Sequence, residues 1–314
     1  SWICPILTTI NGKMFDFLNF SGGENMKNRN VDNISIRGYS HLLSNRECQD
    51  SSISWRGKKY SAVIISDGHG GEKYFRSAKG SGIACGISKD VISMFMEKIR
   101  SESGLYNDLV SNATKREKML LQLERSIIQR WNDEIEADLS SAPFEVDERF
   151  AALSDTDKES VTKTPAKAYG ATFIAAVVAE KYFFILKLGD GNVCVLKDNV
   201  PQMFFGLSDE LKDDQLQFNL TTSLCSSDAD KEFKHCFVNT DKDYPIDGLI
   251  LTTDGIINSY TSEQAYLDFM GNIFSGYKEE TLESAHAELK EFLPRLSEKG
   301  SGDDLTVGII INKF

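Results

Sequence analysis

Apolar residues along the chain follow two periods. The run YSAVIIS at residues 60–66 is almost continuously apolar and β-branched, and it stops at Asp67-Gly68. That predicts a short buried strand. Glycine-rich sequence then gives way to Ile83, Ala84, Ile87, Val91, Phe95 and Ile99, spaced by three and four, which is one face of a helix. Leu120, Leu123, Ile127, Trp131 and Ile135 repeat that spacing in a longer helix. Its other face, with Lys115, Arg116, Glu117, Lys118, Glu124 and Arg125, reads as a solvated charged surface. Ala171–Ala179, Tyr182–Leu188 and Val193–Leu196 predict three successive strands, the first two joined by a tight turn at Glu180-Lys181. Leu249–Thr252 is another strand. Thr261–Phe274 and Thr281–Leu296 are helices, the first with a Ser/Thr cap, and Val307–Ile311 is a closing strand. Residues 138–168 are polar and broken by Pro143 and Pro165, which predicts a long loop, and residues 198–247 show no assignable period. Residues 1–34 also lack periodicity, with Ser21-Gly22-Gly23 as a loop, and read as an extension of uncertain order. Short links between the central strands favour antiparallel pairing. Strict βαβ alternation is absent, which disfavours a doubly wound parallel sheet and leaves an α+β chain.

Composition narrows the function. The 314 residues carry 35 Lys+Arg against 47 Asp+Glu, a formal net charge of −12. Nucleic acid and anionic membrane surfaces demand basic patches, so neither is the expected partner. A phosphorylated substrate stays open, because metal ions can make an acidic site locally positive. The longest uninterrupted apolar run, 173–179, is too short to span a bilayer. The N-terminal stretch SWICPILTTINGKMFDF has no basic leader and meets Asp16 early, so no signal peptide is expected. Six cysteines (Cys4, Cys48, Cys85, Cys194, Cys225, Cys236) form no CxxC pair. They read as buried free thiols in a reducing, cytoplasmic compartment.

One pattern recurs. An apolar strand runs out and ends on Asp-Gly: VIISDGHGG at Asp67, FILKLGDGN at Asp190 and LILTTDGI at Asp254. The pair Asp303-Asp304 lies just before the last strand, and Asp50 closes NRECQD. Asp-Gly is also an ordinary turn pair, and for any single instance turn chemistry suffices. As a set, acids at strand ends can converge on one rim of a sheet, with glycine letting the backbone approach a ligand. Hard divalent cations take such oxygen ligands.

With DGHGG in place, the chain resembles the metal-dependent protein phosphatases of type 2C. The Asp50 segment is similar to that family's first acidic motif. GATFIAAVV with LKLGDGNVCVL resembles its central strands, LILTTDG its strand ending Ser-Asp-Gly, and GSGDDLTVGIII its closing strand. The motifs stand in the family's order across 37–314. The resemblance implies a four-layer α-β-β-α sandwich of two antiparallel sheets flanked by helices, with 35–314 as a single catalytic domain. It implies serine/threonine dephosphorylation by direct attack of a water bridging two Mn²⁺ or Mg²⁺ ions. Asp67 would bridge the ions, Asp254 and Asp303 would hold one, and the Gly68 carbonyl the other. Asp50 would bind directly or through water, and Asp190 matches a position that holds a third metal in some bacterial members. His69 is a candidate general acid or, equally, a donor that orients a carboxylate. Partners would be a phosphorylated protein and a cognate Ser/Thr kinase.

The pattern also departs from the family. Asn45 stands where the family places the arginine that grips phosphate, and Arg46, one residue on, is the candidate substitute. Gln49 replaces a glutamate, and Asp304 stands where asparagine is usual. The Cys48-Gln49-Asp50 form resembles a divergent bacterial branch. His41, His235 and His286 carry no motif and read as structural or exposed. Two other readings remain beside the enzyme: a pseudophosphatase that binds phosphoproteins, and a hydrolase of a small phosphate ester.

Overall fold

The computed structural model describes residues 29–205, 222–240 and 245–313. Its strands are β1 (Arg29–Ile36), β2 (Ser51–Gly57), β3 (Tyr60–Ser66), β4 (Phe173–Ala179), β5 (Tyr182–Leu188), β6 (Asn192–Lys197), β7 (Val200–Phe205), β8 (Lys234–Asn239), β9 (Gly248–Thr252) and β10 (Leu305–Asn312). They form two five-stranded antiparallel sheets, ordered β1-β10-β9-β6-β7 and β2-β3-β4-β5-β8. The helices are α1 (Tyr39–Leu43), α2 (Ser77–Ser101), α3 (Ser103–Ser111), α4 (Ala113–Ser141), α5 (Glu148–Ala152), α6 (Asp155–Lys163), α7 (Ala229–Glu232), α8 (Asp254–Ile257), α9 (Glu263–Glu279) and α10 (Leu282–Lys299).

Three apolar layers make this the expected α-β-β-α sandwich. Within β3, Ala62 and Ile64 face α2 and α4, while Val63 and Ile65 face the other sheet. β4 divides in the same way, with Phe173, Ala175 and Val177 outward and Ile174, Ala176 and Val178 inward. A strand buried on both faces needs no polar alternation, which is why these runs are continuously apolar. The third layer packs α9 and α10 on the sheet that holds β10, through Tyr266, Met270, Leu289 and Leu293.

Several expectations are corrected. Residues 29–34, read as part of the extension, form most of β1, and residues 1–28 lie outside the described residues. The predicted loop at 138–168 holds the end of α4, then α5, α6 and two 3-10 turns, Phe144–Val146 and Pro165–Tyr169. These helices are one or two turns long. They are set by caps, Asp147 accepting from Arg149 N and Ser154 from Asp157 N, so they leave little periodicity to read. Phe144, Leu153, Val161 and Tyr169 anchor the segment singly. Glu124, placed on the solvated face of α4, is buried and bonds His235 Nδ1 at 2.7 Å. Of the unassigned 198–247, the structure shows β7, α7 and β8, with 206–221 and 241–244 outside the described residues.

The motif-free histidines are structural. His41 bonds Asp304, His235 lies between Glu124 and Glu117, and His286 bonds Asp32. Cys48, Cys85, Cys194, Cys225 and Cys236 are free thiols, and Cys4 lies outside the described residues. Among the described residues no helix is long and apolar enough to cross a membrane.

Candidate active site

Strand register brings the predicted acids to one rim. Ser51 opens β2 opposite Ser66, which closes β3; Phe173 opens β4 opposite Leu188, which closes β5. Asp50, Asp67 and Asp190 are therefore at the same end of one sheet. In the other sheet Val307 of β10 and Asn192 of β6 both pair with Thr252, the last residue of β9. That puts Asp303 and Asp254, which opens α8, at the matching end. The two rims touch where Thr253 Oγ1 donates to Asp50 Oδ2 at 2.9 Å.

The DGHGG turn is strapped down on both sides. Thr172 N donates to Asp67 O at 2.8 Å, Asp67 N donates to Thr172 Oγ1 at 3.0 Å, and His69 N donates to Gly170 O at 3.0 Å. A side chain at Gly68 would meet Gln49 O and Ser77 O, both at 2.7 Å. Only glycine fits between those two carbonyls. The His69 ring packs edge-on against Tyr74, 4.8 Å between centroids.

Electrostatics show how far the acids converge. Burial pushes the Asp67 carboxyl well above its ordinary range, and the charges of Asp50, Asp254, Asp303 and Asp190 push it further. Asp50 is 6% exposed, and burial with the charges of Asp304 and Asp303 raises it to about 8, against the pull of Thr306 and Thr253. Its Oδ1 is buried with no hydrogen-bond partner. Burial, Asp190 and Asp303 raise Asp254 to about 6, while a hydrogen bond from Asp67 opposes that rise. Asp303 is raised as well, by burial first. Among the described residues no three His, Cys, Asp or Glu side chains have closed into a finished metal cage. The carboxyls of Asp67 and Asp254 are within hydrogen-bonding reach, and the charges of Asp50, Asp303 and Asp190 are felt at Asp67.

Comparison with known proteins agrees with this geometry. The family model for protein phosphatase 2C matches residues 37–294. The chain belongs to the protein phosphatase 2C family. None of the curated proteins compared with the chain matches it in sequence. Among solved structures it is similar to the catalytic domain of the serine threonine protein phosphatase PstP in complex with two manganese ions. That likeness has a TM-score of 0.51 at 16% identity, over 91% of this chain and 99% of that one. It is also similar to the S. agalactiae serine/threonine phosphatase, with a TM-score of 0.52 at 16% identity, over 91% and 100%. At such identities the likeness establishes the shared phosphatase 2C fold.

Within that fold the departures from the 2C pattern have local causes. Asn45 has φ of 53° in the turn that ends α1, a left-handed conformation that asparagine tolerates and arginine does not favour. The cation stands one residue later, on exposed Arg46, whose Nη1 reaches Gly70 O at 3.4 Å. Gln49 holds the DGHGG turn, donating through Nε2 to His69 O at 3.1 Å and Ser77 Oγ at 2.6 Å. Asp304 is buried, and its two oxygens take Gly38 N at 2.6 Å, His41 Nδ1 at 2.9 Å and Gln49 N at 2.6 Å. Asparagine has one acceptor oxygen and could not serve all three. Asp304 thus fixes both ends of the 38–49 loop beside Asp303. Sequence reasoning missed this role, and the missed partners Thr253 and Tyr74 carry no motif of their own.

Proposed function

We propose that this phosphatase 2C chain is a metal-dependent phosphoprotein phosphatase that hydrolyses phosphoserine and phosphothreonine. The observation that carries the reading is Asp67, set among four other carboxylates at the meeting of two sheet rims. Such a set repels itself as bare anions and suits hard divalent cations with oxygen ligands, Mn²⁺ or Mg²⁺. Asp67 would lie between two ions, with Asp254 and Asp303 on one and the Gly68 carbonyl on the other. The partnerless Oδ1 of Asp50 would bind directly or through water, and Asp190 would serve a third ion. When bound, the ions would supply charge that lowers the pKa of a water and neutralises the phosphoryl oxygens, as direct attack by water requires.

The chain's own side chains supply the rest. Arg46, the cation one residue past Asn45, would hold the substrate phosphate through a charge-assisted contact. Arg46→Ala is expected to raise KM for a phosphopeptide about tenfold while kcat changes little. Steady-state kinetics decide it, and an unchanged KM assigns the grip to another cation. Burial holds the His69 imidazole below its ordinary 6.5, with Asp190 partly opposing. It is therefore mostly neutral at neutral pH, and its proton-carrying form grows as pH falls. As a general acid it would give that proton to the departing serine oxygen. His69→Ala should then cost roughly 100-fold in kcat on a phosphoserine peptide and far less on p-nitrophenyl phosphate, whose phenolate leaves unprotonated. Equal losses on both substrates would limit His69 to orienting its neighbours.

The reading as a whole is tested by chelation. Hydrolysis of p-nitrophenyl phosphate is expected to require Mn²⁺ or Mg²⁺ and to stop in excess EDTA. Activity that survives chelation overturns it. A phosphoserine peptide turned over more efficiently than the small ester favours a protein substrate over a small one.

A further inference from the structure

A groove of about 690 Å³ opens beside the candidate active site. It shares a wall with that site, because Gln49 and Gly70, which hold and follow His69, line it. Arg46 stands at the same boundary. The groove's floor is apolar: Tyr74, Phe75, Ala152 and Leu153. Phe75 and Leu153 belong to the core below, at 8% and 6% exposure, while Ala152 is exposed at the end of α5.

Charge at the rim cancels. Arg46 and Arg149 face Glu47 and Glu72. Arg149 is already committed, with Nη1 on Glu47 Oε1 at 3.0 Å and Nε on Asp147 Oδ1 at 3.2 Å, and its guanidinium lies 5.9 Å over the Phe75 ring. Arg46 makes one long hydrogen bond and no ion pair among the described residues. A charged guest would meet both signs here and gain little. An aromatic or large aliphatic guest would cover two rings and two aliphatic side chains.

We propose that this groove is a substrate subsite. It takes one aromatic or large aliphatic side chain flanking the phosphorylated residue of a protein substrate, while Arg46 at the boundary takes the phosphate. The inference rests on the phosphoprotein reading above. It adds that the groove selects among phosphoproteins by an apolar flanking residue and ignores flanking charge. The Asp147 cap and the Arg149–Glu47 pair fix α5 to the 45–49 loop, so that Ala152 and Leu153 line the groove beside it.

The test measures binding, so it does not depend on turnover. Fluorescent peptides carrying a non-hydrolysable phosphonate analogue of phosphoserine in a glycine-serine background are titrated with the full chain and Mn²⁺, and anisotropy is read. A single Phe is walked across the flanking positions. One position is expected to bind about tenfold tighter than its Gly counterpart, and Lys or Glu there to bind like Gly. Ala152→Trp, which lays an indole across the apolar floor, should abolish the Phe advantage and leave the Gly peptide's affinity within about twofold. Ala152→Glu, which sets a charge over the same floor, is the second variant should the first fail to fold. Equal Kd values across the Phe walk overturn the proposal. So does a Phe advantage that survives both variants. Loss of p-nitrophenyl phosphate hydrolysis in the unaltered chain would instead count against the phosphatase reading itself.

Discussion

Asp67→Asn and Asp254→Asn are each expected to abolish hydrolysis of p-nitrophenyl phosphate, with kcat/KM falling by roughly 1,000-fold or more. The magnitude follows from place and chemistry. Asp67 feels four other carboxylates, and Asp254 is within hydrogen-bonding reach of it. An amide keeps the shape of the side chain but presents neutral oxygen, so the attraction for a doubly charged ion drops sharply. Folding should survive, because the backbone of the DGHGG turn is held by Thr172 and Gly170 and not by the Asp67 carboxyl. The asparagine also relieves repulsion among buried acids. The variants are therefore expected to melt at or above the unaltered protein in EDTA while being inactive in Mn²⁺. Wild-type rates in both variants would refute the ligand assignment.

Manganese and pH should act on stability together. In the metal-free protein the Asp254 carboxyl is pushed up to about 6 and that of Asp50 to about 8, from an ordinary 3.8. Folding thus holds protons that the unfolded chain releases. The stability this contributes is fully present below 3.8. It is lost as pH rises through about 6 for Asp254 and about 8 for Asp50. The melting temperature in EDTA should therefore fall from about pH 5 to about pH 8. Divalent ions replace those protons, so their benefit should grow over the same interval. At about 100 times its Kd, one ion adds about 2.7 kcal/mol, a rise of about 5 °C or more for a domain of this size. Scanning fluorimetry at several pH values checks both slopes. A manganese effect that shrinks with rising pH would contradict the account.

Much of this was legible in the sequence where burial on both faces or a long amphipathic helix imposed a period. YSAVIIS became β3 with its Asp67 at the rim, and the Leu120–Ile135 spacing became the core of α4. Features set by hydrogen bonds between distant residues left no such trace. β2, SSISWRG, is half-polar because it is an edge strand whose serines bond on both faces, Ser52 Oγ with Asn33 and Ser35 of β1 and Ser51 Oγ with Ser81 of α2. β1 reads as an extension for the same reason. The left-handed φ of Asn45 is likewise a backbone feature that shows only in the structure. Asp304 looked like a loss of pattern, yet it joins three donors 255 to 266 residues away along the chain.

The central claim is that these rim acids hold a pair of cations, and crystals grown with Mn²⁺ test it most directly. An anomalous difference map collected at the manganese edge should show two peaks at the Asp67 side chain, one also touching Asp254 and Asp303. Both should vanish in Asp67→Asn crystals grown alike. A map with no manganese at that rim, or with the ions on some other face, would contradict the account.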